Sequence, residues 1–154
     1  MIGSVDGLGR WDGGVGGMTE AFNPKDIWQP FGAFSMAVLQ GDGQIVHLKG
    51  QVALDREGRV VGEGDMRVQT RQALENIRAV LAGLGGEMGD ILTLTQHVTD
   101  IAAFMASGDI RRTFFQEPYP ATTTVEVAAL YDPALMVEIT AVAEIPRERF
   151  KRPG

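Results

Sequence analysis

At 154 residues the chain is long enough for one domain with a sizeable core, and a 44% hydrophobic share suits a globular fold. A formal charge of −6 argues against a dedicated nucleic-acid binder, because phosphate contacts need clustered Lys and Arg. The absence of cysteine excludes disulfides, thiolate catalysis and thiolate-bound metals, which fits a cytoplasmic protein.

The opening "MIGSVDGLGRWDGGVGG" is glycine-rich and aperiodic. It reads as a flexible leader over residues 1–20, with Met18 a natural start and a single domain over 21–154. No apolar run reaches bilayer-spanning length and no signal peptide is visible, so no membrane partner is expected. "GAFSMAVLQ" reads as a strand running to the hairpin signal "GDG", and "QIVHLKGQVALD" as a second strand closed by "REGR".

From Asp65 the period becomes helical. Leu74, Ile77, Val80, Leu81 and Leu84 form the apolar face, Arg71 and Glu75 are spaced for an i,i+4 pair, and "GLGG" stops the helix. "ILTLTQHVT" alternates as a strand. Asp100 is placed to cap a second helix anchored by Ile101, Phe104, Phe114 and Phe115, with Gly108 weakening its middle and "EPYP" ending it. Strands over Thr122–Leu130 and Leu135–Ile145 follow, joined by the turn "YDPA". The basic tail "RERFKRPG" reads as a solvated terminus.

The order β-β-α-β-α-β-β predicts an α+β domain: one mixed sheet with two helices on one face. Alternation divides the last strand into an apolar face (Leu135 through Ile145 at odd positions) and a semi-polar one of Met136, Glu138, Thr140, Val142 and Glu144. Thr122, Thr124 and Glu126 are assigned to the Glu138 side, with Ile45, His47, Lys49 and Gln51 and with Ile91, Thr93, Thr95 and His97. Two helices cover one face only. Burial of the other against further copies of the chain predicts a homo-oligomer whose interface the threonines line. The bland alternative is that they are ordinary strand threonines satisfied by their neighbours.

Several blocks then stand in a familiar order. "FGAFSMAV", "LKGQVALD", "QTRQALENIRAVLAGLG", "LTQHVTDIAAF" and "YPATTTVEVAAL…VEITAVA" resemble the RidA (YjgF) family over roughly residues 30–146. The resemblance implies a chorismate-mutase-like fold, a homotrimer with clefts between subunits, and hydrolysis of enamines and imines without metal or organic cofactor. It also implies a final-strand glutamate, here Glu138, that positions water. In the family an arginine after "PA" clamps the substrate carboxylate, which suits a planar fork. This chain has Thr122 there, followed by Thr123 and Thr124. It also has Phe34 for the motif tyrosine, Lys49 for a serine before the matching Gly50 and Gln51, and Gly108 for an asparagine of the second helix. The departures imply a divergent member with altered specificity for its small-molecule ligand.

Each of these residues has a plainer reading. Lys49 either replaces the lost arginine as an anion contact or pairs with Glu138. His47 and His97 share the interface face, but two histidines without a third ligand make a weak metal signal, so no metal is assigned. No phosphate loop, dinucleotide fingerprint or nucleophile elbow is present. The leading reading is an imine or enamine deaminase. The alternative is a non-catalytic trimer of the same fold that binds a small ligand or a partner.

Overall fold

The computed structural model describes residues 20–154, so the leader expected over residues 1–20 lies, save Glu20, outside the described residues. In chain order the elements are β1 (Glu20–Phe22), β2 (Ala37–Leu39), β3 (Gln44–His47), α1 (Met66–Gly83), a 3-10 turn (Met88–Asp90), β4 (Ile91–Val98), α2 (Ile101–Met105), α3 (Gly108–Arg112), β5 (Ala121–Glu126) and β6 (Val137–Ile145). The main sheet runs β3-β6-β4-β5, with β4 and β5 parallel and the other pairs antiparallel. The α+β plan holds, with helices on one face only.

The core forms where the apolar stripes meet. Val137, Ile139, Ala141 and Ala143 of β6 and Leu94 and Val98 of β4 pack under Ala73, Leu74, Ile77 and Leu81 of α1, with Phe104 and Ile110 beside them. Along β6 buried and half-buried residues alternate, the signature of a sheet with one covered face. Asp65 caps α1 by accepting from the Val68 amide at 3.1 Å, and Asp100 caps α2 from the Ala103 amide at 3.0 Å. After α1, Gly85 takes φ +79°, the left-handed turn that glycine permits.

Several expectations are corrected. The first two predicted strands do not form a hairpin across "GDG". β2 pairs with β1, and the turn instead gives its Gly41 and Gly43 amides to the Glu144 carboxylate at 2.8 and 2.7 Å. The second predicted strand ends at His47. His47 stands opposite Val142 and Gln51 opposite Ile139, so one extra residue bulges out between them. In β4 a bulge between Ile91 and Thr93 turns Ile91 into the core, off the face assigned to it. The second helix is two short ones, broken at Ala106–Ser107. "YDPA" makes no hairpin either, because β4 lies between β5 and β6.

Two ion-pair expectations also change. Glu75 reaches forward to Arg78 at 3.2 Å rather than back to Arg71. The tail is docked rather than solvated through Arg149, which forks onto Asp90 at 2.5 and 3.0 Å and donates to the Gly85 carbonyl. Among the described residues no helix is long and apolar enough to cross a membrane.

Candidate functional site

The sheet face away from the helices carries the site residues, and strand register decides which. Glu138 stands opposite His97 and Thr140 opposite Thr95. Across the parallel pair, Thr95 meets Thr123 and His97 meets Val125. The open face therefore presents Thr123. Thr122 and Thr124, paired with Leu94 and Gln96, belong to the helix-covered face, which corrects their assignment to the Glu138 side. Alternation had the period right but the phase between strands wrong. Phase is set by pairing across strands, which a single strand's pattern does not contain.

The buried partners agree with this register. Gln96 is fully buried and its amide donates to the Thr124 hydroxyl at 2.7 Å. The Thr122 hydroxyl donates to the Pro120 carbonyl at 3.1 Å, in line with the bland reading of these two residues.

Around the N-terminal end of β5 lies a cleft of about 420 Å³, lined by Trp28, Phe34, Ser35, Met36, Thr93, Leu94, Thr95 and Ala121 to Thr123. The segment carrying Phe34 is held there by main chain: the Ser35 amide donates to the Pro120 carbonyl at 3.0 Å and Ser35 bridges Ala121. Behind it, Arg111 of α3 donates to the Ala33 carbonyl at 3.4 Å and lies 5.9 Å over the Phe104 ring. Burial pushes the Arg111 guanidinium below its ordinary range, and Nε has no partner among the described residues.

Glu138 forms a second centre on the same face. Its side chain is 26% exposed, and its ion-pair partner is the well-exposed Lys49 at 3.9 Å. Lys49 also donates to the Gly50 carbonyl at 3.2 Å. The bulge before Gln51 brings these residues together, and Gly50 is needed there, because a Cβ on it would sit 2.5 Å from Glu138 Oε1. Lys49, Gly50 and Glu138 thus group together, as do Phe34, Thr122 and Thr123 in the cleft. Gly108 opens α3 and lines neither group. His97, placed on the interface face by alternation, is the cross-strand neighbour of Glu138, a pairing that only the register reveals. Among the described residues no three His, Asp or Glu side chains gather as a metal site.

Comparisons with known proteins agree with this architecture. The family model described as Endoribonuclease L-PSP matches residues 25–145. A RutC family protein of Pyrococcus horikoshii is 32% identical over 126 residues, covering 82% of this chain and 98% of that one. A 2-iminobutanoate/2-iminopropanoate deaminase of Dermatophagoides farinae is 34% identical over 117 residues, 76% of this chain and 89% of the other. Among solved structures, a protein of the conserved Rid family from Yersinia pestis superposes with a TM-score of 0.74 at 33% identity, covering 82% of this chain and 98% of its own. RidA from an Antarctic Psychrobacter gives 0.60 at 29%, covering 82% and 99%. With the matched region spanning every element of the main sheet and its helices, the chain belongs to the RidA/YjgF (Rid) family.

Proposed function

We propose that the chain is a RidA-like hydrolase of imines or enamines, working in clefts between the subunits of a homotrimer, with a specificity altered at the carboxylate-binding position. The observation that carries this reading is Glu138, a half-buried carboxylate on an uncovered face, with one ion pair, at 3.9 Å, among the described residues. A carboxylate so placed suits a general base for water. Water adds through oxygen to the imine carbon while Glu138 takes its proton and returns it to nitrogen. The C–N bond of the resulting carbinolamine then breaks, ammonia leaves, and a carbonyl remains. An enamine enters after tautomerising to the imine. The deaminase named among the relatives supports this class of reaction.

The test uses 2-iminopropionate generated in situ, with ammonia release as readout. Wild type turns it over slowly, because Thr122, off the Glu138 side but still in the cleft lining, offers no cation to a carboxylate bound there. Thr122→Arg raises kcat/KM by about ten- to a hundredfold, the worth of about 1.5–3 kcal/mol for a charge-assisted contact. Glu138→Gln abolishes that gain. Rapid wild-type turnover that is lost in Lys49→Ser would mean that the lysine has replaced the arginine. Turnover unaffected by Glu138→Gln would sink the proposed chemistry. A ligand-binding trimer without catalysis is the second reading, favoured by the lack of any ionisable side chain among the described residues that line the cleft in one protomer. Ligand binding without ammonia release from any imine offered would establish it.

A further inference from the structure

Strand register places beside Glu138 an ionisable ring that no step of the proposed hydrolysis uses. His97 of β4 stands directly opposite Glu138 of β6, and both are half-buried on the open face. Ile139 exchanges its amide and carbonyl with Gln51 on the other side of β6, so the main chain of Glu138 is the one that bonds to β4. Such a pair sets its Cα atoms about 5.5 Å apart with both side chains on one face. The Glu138 carboxylate leans toward Lys49 and Gly50, across β6 from β4, and His97 flanks its free side. Both residues belong to one chain's own ladder, so every copy in an assembly carries the same pair.

The charged groups around this ring are Glu138 and, paired with it at 3.9 Å, Lys49. Across the parallel pair His97 meets Val125, and Thr95 precedes it on the same face of β4. The acids past the end of β4 and at the end of β5, Asp100 and Glu126, accept from the Ala103 and Ile101 amides. Among the described residues the ring has no side-chain hydrogen bond or ion pair of its own. His97 and Glu138 therefore address the space between them rather than each other.

We propose that His97 is the second proton-handling group of the Glu138 centre, the acid that releases ammonia from the carbinolamine. This rests on the hydrolase reading and deepens it. One carboxylate suffices for the addition, because the proton taken from water goes back to nitrogen. Collapse needs two groups at once, since the hydroxyl must lose a proton while nitrogen gains one. Glu138 takes the hydroxyl proton, and the O–H electron pair becomes the second bond of C=O. The C–N pair stays with nitrogen, which receives its third proton from the His97 imidazolium. Ammonia and the carbonyl product leave, and His97 recovers its proton from Glu138 through water between them, which restores both groups. Imidazole suits this step because it gives and regains a proton near neutral pH, whereas a lysine ammonium holds on to its own.

The test is the pH profile of kcat for 2-iminopropionate generated in situ, read as ammonia release by the full chain. Wild-type kcat should fall as pH rises through the range of about 5–8 in which imidazole loses its proton. His97→Gln should lack that limb, with kcat lowered about a hundredfold at the acid end of the range and KM within about twofold of wild type. Added imidazole should restore part of the kcat of His97→Ala, a rescue that a packing role does not allow. A wild-type profile without the limb overturns the assignment. So does a His97→Gln chain that keeps both kcat and limb while Glu138→Gln loses turnover, and the hydrolase reading then stands. Activity lost in both His97 variants and not restored by imidazole, whether or not circular dichroism shows the fold intact, assigns the ring to packing and also overturns it. Turnover unaffected by Glu138→Gln, or no ammonia release by wild type, removes the hydrolase reading and this assignment together.

Discussion

Glu138 owes its position to a glycine. A methyl group at residue 50 would lie 2.5 Å from its Oε1 and 2.9 Å from its Cγ, distances at which one of the two must move. Gly50→Ala should therefore displace the carboxylate while the buried core, which residue 50 does not join, stays intact. The expected result is a fall of about tenfold or more in kcat for whichever imine the wild type hydrolyses, with Tm shifted by only a few degrees. Equal loss of activity and folding would assign Gly50 to the scaffold alone. At this scale the sequence was informative about residue type: Glu138, Gly50 and Lys49 all proved to be neighbours. It was uninformative about Thr122 and Thr124, whose phase depends on the partner strand.

Between elements, polar clamps hold together what apolar burial alone leaves loose. Asp90 is buried and satisfied by the Glu87 amide and by the Arg149 fork, which pins the residues after β6 against the end of α1. Arg149→Ala leaves that buried carboxylate short of its cation and should cost about 2–3 kcal/mol, less than for a fully enclosed pair because Arg149 is partly exposed. Thermal melting should then fall by roughly 5–10 °C, and Arg149→Lys should recover only part, since a point charge cannot fork. A second clamp joins α1 to α3: Arg67 forks onto Asp109 with both contacts at 2.7 Å. The Arg67 hydrogen bonds hold the Asp109 carboxyl down to about 2. A carboxyl depressed on folding contributes stability above its ordinary value of 3.8, and that contribution is lost as pH falls through about 2. Asp109→Asn should accordingly flatten the acid limb of the stability profile between pH 4 and 2, read by circular dichroism. The break between α2 and α3 was not legible from the apolar spacing, because Phe104 and Ile110 remain buried across it.

The whole protomer leaves one sheet face uncovered, carrying His97, Glu138, Thr140 and Val142 at half-buried positions. Too apolar to be left wet and too polar for a core, such a face is matched best by copies of itself in closed symmetry. Sedimentation equilibrium at micromolar concentration should return three times the chain mass. A monomer there would remove the inter-subunit clefts and with them the proposed site.

Local chemistry alone determined the first helix, the caps at Asp65 and Asp100, the alternating burial of β6 and the family blocks. Each of these is set by neighbours within a few residues along the chain: Asp65 finds the Val68 amide whatever the rest of the fold does. The tertiary structure decided the rest. It placed β4 between β5 and β6, inserted the bulges at Leu92 and before Gln51, and turned Thr123 rather than Thr122 toward the open face. Those outcomes follow from which strands share hydrogen bonds, and a one-residue slip in that pairing exchanges one face for the other without changing the pattern within either strand.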